Sequence, residues 1–194
     1  MSPTKSNLQA RSWKRNQFLV STDPSCIPIP ELIQVFESED MYWTKTLSPE
    51  AMREMLDNSL TFGLYEQSQI EDSARPANST PQLKFIGIAR CVTDFVTFAY
   101  LTDVWVDPTY QGKGLGSWLV SCVQEVLEAM PDLRRSLLFT GDWERSVPFY
   151  QKLMGMELIE PRKGEGLAVM ERKGRGHPSY GHDGTGYDNH KENP

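Results

Sequence analysis

The residues from Asp107 to Gly116 have the types and spacing to hold a phosphate. Asp107-Pro108-Thr109-Tyr110 leads into Gln111-Gly112-Lys113-Gly114-Leu115-Gly116, and an apolar helical stretch follows. Glycines at alternate positions let a backbone come close to a ligand and turn its N–H groups inward. The N-terminus of the next helix adds partial positive charge, so the junction can act as an anion cradle. Spacing excludes two commoner phosphate loops. A dinucleotide-binding GxGxxG would need glycine at position 117, where Ser117 stands, and a Walker loop needs Ser or Thr directly after Gly-Lys, where Gly114 stands. On spacing alone, a glycine-rich surface turn without a ligand stays open as the other reading.

Imidazole and thiol chemistry are poorly provided for. His177, His182 and His190 all fall in the polar, glycine-rich last stretch, so a folded domain must work without histidine. Cys26, Cys91 and Cys122 are widely separated and lack CxxC or CxxH spacing, which suggests reduced thiols, no disulfide framework and no metal site. The chain has 194 residues, with 20 Lys plus Arg against 26 Asp plus Glu and a net charge of −6. A protein that neutralises phosphates along a nucleic acid would be basic, so nucleic acid is not an expected partner. No run approaches the roughly 20 apolar residues needed to cross a bilayer, and the start lacks the apolar stretch of a secretory signal. A cytoplasmic protein with no membrane partner is expected; because no acid precedes Asp23, a basic mitochondrial presequence is the competing reading.

The elements that must position the glycine turn are legible from patterning. Residues 1–14 read as a flexible N-terminus, 15–172 as a single domain and 173–194 as a disordered tail with no aliphatic anchor. Within the domain, 67–82 reads as a long mobile hairpin loop rich in Pro, Ser, Asn and charge. Strands are predicted at 17–21, 60–65, 83–92, 98–106, 136–140 and 166–171. Helices are predicted at 30–37, at 49–58 with Ser48 as cap, along the stripe from Leu115 to Met130 that Pro131 stops, and at 147–154 ending at Gly155. The runs LKFIGIARCV and FAYLTDVWV are apolar on both faces and joined by a short turn, so they belong at the centre of a sheet. Strand alternation would put Asp103 on one side with Leu101 and Trp105, opposite Tyr100, Thr102 and Val104. The class is a mixed α/β sheet.

The string VWVDPTYQGKGLGSWLV resembles motif A of the GNAT superfamily of N-acetyltransferases, whose Q/R-x-x-G-x-G/A pattern is matched by Gln111, Gly114 and Gly116. PFYQKLMGMEL, from Pro148 to Leu158, resembles a second signature of that superfamily, a helix carrying tyrosine and ending in glycine. The resemblance spans about residues 15 to 172. It implies an α/β fold with a mostly antiparallel central sheet flanked by helices and a splayed cofactor-binding strand pair. It also implies that acetyl-CoA is the co-substrate, with its pyrophosphate on the backbone of Gln111, Gly112, Lys113, Gly114, Leu115 and Gly116. Pantetheine would run beside Val104, Trp105 and Val106.

Acetyl transfer to an amine needs a neutral nucleophile, a donor for the oxyanion and a proton for the departing thiolate. The resemblance assigns the acid to Tyr150, with a merely packed tyrosine as the other reading, and the base, or an orienter of water, to Asp103, which within an apolar strand could equally be a structural hydrogen-bonder. The oxyanion donor is expected to be a backbone N–H near Val106. Relatives commonly carry Asn about seven residues before the tyrosine; Trp143 stands there, so that contact is not carried over. The acceptor would lie between the first two helices and the central hairpin, where Tyr42, Trp43, Phe62, Phe95 and Tyr100 could hold an aryl or alkyl amine or could be ordinary core aromatics. Asp94, expected in the hairpin turn, is a weaker candidate for the base and a candidate substrate contact. The acceptor is expected to be a small molecule or a protein amine, and the protein a monomer or homodimer. Transfer of another acyl group, or acyl-CoA binding without catalysis, are the alternatives.

Overall fold

The two longest apolar runs of the sequence become the two central strands. The computed structural model describes residues 4–67 and 82–159. Six strands form one sheet in chain order: β1 (Ser12–Arg15), β2 (Phe18–Ser21), β3 (Leu60–Gln67), β4 (Leu83–Thr93), β5 (Phe98–Val106) and β6 (Arg135–Leu137). Every pair is antiparallel except β5 with β6, which is parallel. The expected hairpin loop, the strand at 166–171 and the tail with its three histidines lie outside the described residues.

Helices cover both faces. α2 (Ile29–Glu37) and α3 (Pro49–Asp57) bury Leu32, Phe36, Met52 and Leu56 against Ile88. α3 starts as its sequence demands: the Ser48 hydroxyl accepts the Ala51 N–H at 3.2 Å, and Pro49 sits where no N–H is required. On the other face α4 (Leu115–Glu128) packs Leu119, Val123 and Val126 on Phe62, Ile86 and Leu101. α5 (Ser146–Met154) adds Met154 to the same cluster, and Gly155 ends it in the left-handed conformation.

The domain begins earlier than the sequence suggests. α1 (Lys5–Leu8) and β1 occupy part of the segment expected to be flexible. Thr4 and Asn7 close a capping box, Leu8 is fully buried, and Trp13 lies 6.2 Å from Phe62 while its Nε1–H donates to Glu125. Two apolar residues in a polar, basic stretch show no periodicity, yet each is placed over the core by α1 and β1.

The second departure is in β5. Ile88 pairs with Trp105 and Arg90 with Thr102, so Asp103 and Val104 together face Ala89: a β-bulge. Asp103 takes φ +51, in the left-handed region. The extra residue resets the alternation. Leu101 and Val104 lie on the α4 side, whereas Trp105 packs against the α2–α3 cluster. Leu101 and Trp105 therefore do not share a face. Beyond the bulge, β5 runs on to Val106, but its pairing with β6 covers only Phe98–Tyr100. The two parallel strands thus splay where the chain approaches the glycine turn.

Candidate functional site

The glycine turn is built by its own sequence. Asp107 caps a short 3-10 turn at Pro108–Tyr110, its carboxylate accepting the Thr109 N–H at 2.8 Å. Gly112 and Gly114 then take φ +78 and +70, and α4 starts at Leu115. A Cβ at Gly112 would meet nothing within 4 Å, and one at Gly114 only the Arg15 guanidinium at 3.8 Å. Glycine is needed there for its backbone conformation, and the space above it is open. Gly116 packs near Val106, with a Cβ position 3.9 Å from Cγ2.

Three cations rim this turn. The Arg15 Nη1–H group donates to the Gly114 carbonyl at 3.4 Å, and its guanidinium lies 6.0 Å from the Trp118 ring. Lys113 Nζ lies 4.6 Å from the Tyr110 ring, and Lys84 donates to the Tyr110 hydroxyl at 3.1 Å while that hydroxyl donates to Glu66. Open N–H groups at a helix start, with Arg15 and Lys113 beside them, fit the phosphates of CoA.

Next to the splayed strands lies a cleft of about 730 Å³. One wall is the connection from α2 to α3, with Tyr42, Trp43 and Lys45; another is Arg90 with Tyr100–Val104; the third comprises Leu138–Asp142, Ser146 and Tyr150. Tyr150 is half-buried, and burial pushes its hydroxyl up to about 12, so it holds its proton at neutral pH. Tyr42 and Trp43 meet edge to face at 4.9 Å, and Tyr100 faces Phe139 at 5.4 Å. At the floor, Asp103 is buried and fully engaged. Arg90 Nε–H donates to Oδ2 at 2.7 Å, and Trp43 Nε1–H and the Thr102 hydroxyl donate to Oδ1 at 3.3 and 3.2 Å.

The structure therefore gathers Tyr42, Trp43, Tyr100, Asp103, Val104 and Tyr150 around one cleft. It does not bring Phe62, Phe95 or Asp94 there. Phe62 is fully buried under α4, because β3 points it into the core. Phe95 sits in the β4–β5 turn at φ +62, beneath Lys5 Nζ at 5.1 Å. Asp94 shapes the same turn, accepting from the Val96, Thr97 and Phe98 N–H groups and the Thr97 hydroxyl, bonds that hold its carboxyl well below the usual range. Trp105 points away from the α4 side, donating from Nε1 to Asp40 at 3.3 Å. Val106 packs beside the α4 cluster.

Sequence reasoning missed Arg15, Arg90 and Phe139. Arg90 had a signal: an arginine inside the apolar run GIARCV must find an acid, and Asp103 in the next strand was the available one. Arg15 had none, since its role depends on β1 lying at the sheet edge beside α4. Among the described residues no group of His, Cys, Asp and Glu is arranged to hold a metal, and no helix is long and apolar enough to cross a membrane.

Known proteins resemble this chain in sequence and fold. The pattern of the Acetyltransferase (GNAT) family matches residues 32–156. A Gibberella zeae protein that bears an acetyltransferase name is 33% identical over 175 residues, covering 86% of this chain and 96% of its own. The crystal structure of a GNAT-family protein from Xanthomonas campestris superposes with a TM-score of 0.60 at 28% identity, covering 84% of this chain and 97% of that one. A Staphylococcus aureus structure shares the fold, with a TM-score of 0.53 at 22% identity over 79% of this chain and 99% of its own. With the sheet, the splay, the glycine turn and the helix carrying Tyr150 all in place, the chain belongs to the GNAT family of acetyltransferases.

Proposed function

We propose that this protein moves an acetyl group from acetyl-CoA to a primary amine by direct attack within a ternary complex. The observation that carries the reading is the position of the cleft: it opens at the β5 bulge, beside the splay, with the protonated Tyr150 hydroxyl on its wall. Bound acetyl-CoA would supply an activated thioester carbon. Gln111, Gly112, Lys113, Gly114, Leu115 and Gly116 would hold its pyrophosphate, with Arg15 as a further cation. The free edge of β5 at Val104, Trp105 and Val106 would pair with the pantetheine arm.

The chain's own groups then divide the work. A backbone N–H in the Asp103–Val104 step, taken out of the ladder by the bulge, offers the donor for the oxyanion. The sequence placed this donor near Val106; the bulge favours a position two residues earlier. As the amine nitrogen bonds to the acyl carbon and the carbon–sulfur bond breaks, Tyr150 gives its proton to the departing thiolate. The acceptor ammonium first gives one proton to solvent through the open cleft and attacks as the neutral amine; the proton shed from nitrogen as the amide forms also leaves to solvent, from which Tyr150 is reprotonated. Tyr42, Trp43, Tyr100 and Phe139 offer apolar and cation-binding faces to the acceptor.

A panel of aryl, alkyl and polyamine acceptors with acetyl-CoA, read as release of free thiol, tests the reading. Faster turnover with acetyl-CoA than with longer acyl-CoA esters is the expected result. No thiol release above hydrolysis with any amine would leave acyl-CoA binding alone.

A further inference from the structure

Asp103 carries more structure than a proton acceptor needs. It is the one residue of β5 in the left-handed region, it lies at the bulge, and it is 5% exposed. A buried carboxylate requires a paired charge, and Arg90 supplies one from the adjacent strand. Arg90 is itself held, since its Nη1 donates to Ser59 Oγ at 3.1 Å and that hydroxyl donates to the Met55 carbonyl at 2.6 Å. The chain of contacts runs from α3 through Arg90 and Asp103 to Trp43 on the cleft wall.

We infer that Asp103 is a positioning residue: paired with Arg90, it pins the β5 bulge in its left-handed turn and fixes the Trp43 indole on the same carboxylate. One buried group thereby sets both the backbone donor of the Asp103–Val104 step and one aromatic wall of the acceptor cleft. Asp suits the place on two counts, since it tolerates a left-handed backbone better than most residues and its short carboxylate reaches Arg90. The kinetic consequences rest on the acetyl-transfer reading, but the geometry does not.

The test has two arms. In the first, the indole N–H resonance of Trp43, assigned through Trp43→Phe, is followed by NMR in Arg90→Gln and Asp103→Asn. Arg90→Gln touches no atom of Trp43, yet the resonance should move in both variants; an unmoved resonance in Arg90→Gln overturns the network. In the second, kcat and kcat/KM with acetyl-CoA and whichever panel amine the wild type turns over fastest, phenethylamine first, are measured against pH for the wild type, both variants and the charge-free double variant. Each single change should lower kcat at least tenfold with the acidic limb of the profile unmoved, and the double variant should be no worse than either single one. Loss of the acidic limb in Asp103→Asn would make Asp103 the base and overturn the inference. Wild-type protein that turns over with no amine of the acceptor panel would overturn the acetyl-transfer reading instead, and the NMR arm would still judge the inference by itself.

Discussion

A tyrosine can protonate a leaving thiolate only while it keeps its own proton, and burial secures that for Tyr150. Tyr150→Phe preserves the ring, which packs edge to face on Phe149 at 5.0 Å, and removes only the hydroxyl. Single-turnover acetyl transfer should fall by ~10²-fold with CoA affinity unchanged. Because burial pushes the hydroxyl up to about 12, any loss of rate through its ionisation should not begin until well above neutral pH. A second residue prediction concerns Gly114. A side chain has room there, but φ +70 is strained for valine, so Gly114→Val should weaken CoA binding at least tenfold, or ~1.4 kcal/mol, in a calorimetric titration. Both residues were legible in the sequence, because the glycine spacing and the helix bearing tyrosine are local patterns. The places of Phe62 and Phe95 were not, since nothing local distinguishes a core or turn aromatic from one lining a cleft, whereas the hairpin turn expected for Asp94 is the one it shapes.

Among the described residues, the strands and helices followed their periodicity to within a few residues, and the exceptions mark long-range contacts. α1 is too short to persist alone and exists because Leu8 has a core to enter. Its side chain is fully buried, so Leu8→Ala should cost about 2–5 kcal/mol in urea unfolding, far more than a flexible terminus would register. The bulge in β5 is likewise invisible to an alternation count. The pattern FAYLTDVWV fits an unbroken strand, and only the register against β4 shows that Asp103 and Val104 share one partner. That single extra residue separates Leu101 from Trp105 and turns a strand residue into the floor of the cleft.

At the scale of the whole molecule, two buried thiols tie stability to alkaline pH. Burial raises Cys91 and Cys122 from 9.0 to about 12. Between those values the unfolded chain releases protons that the folded chain retains, so stability must fall as pH rises through about 9. Urea midpoints should be lower at about pH 10 than at about pH 7, and the drop should shrink in a Cys91→Ala, Cys122→Ala background. What the sequence by itself determined was the fold class, the glycine turn, the helix of Tyr150 and the family. Each is written in contiguous residues whose backbone preferences and periodicity act over a few positions. The tertiary structure alone decided that residues 4–15 join the domain with Leu8 in its core, that Arg15 reaches the glycine turn, and that Arg90 claims Asp103. Those outcomes depend on which strands become neighbours, and a buried charge or an isolated leucine shows its purpose only when its partner arrives from a distant part of the chain.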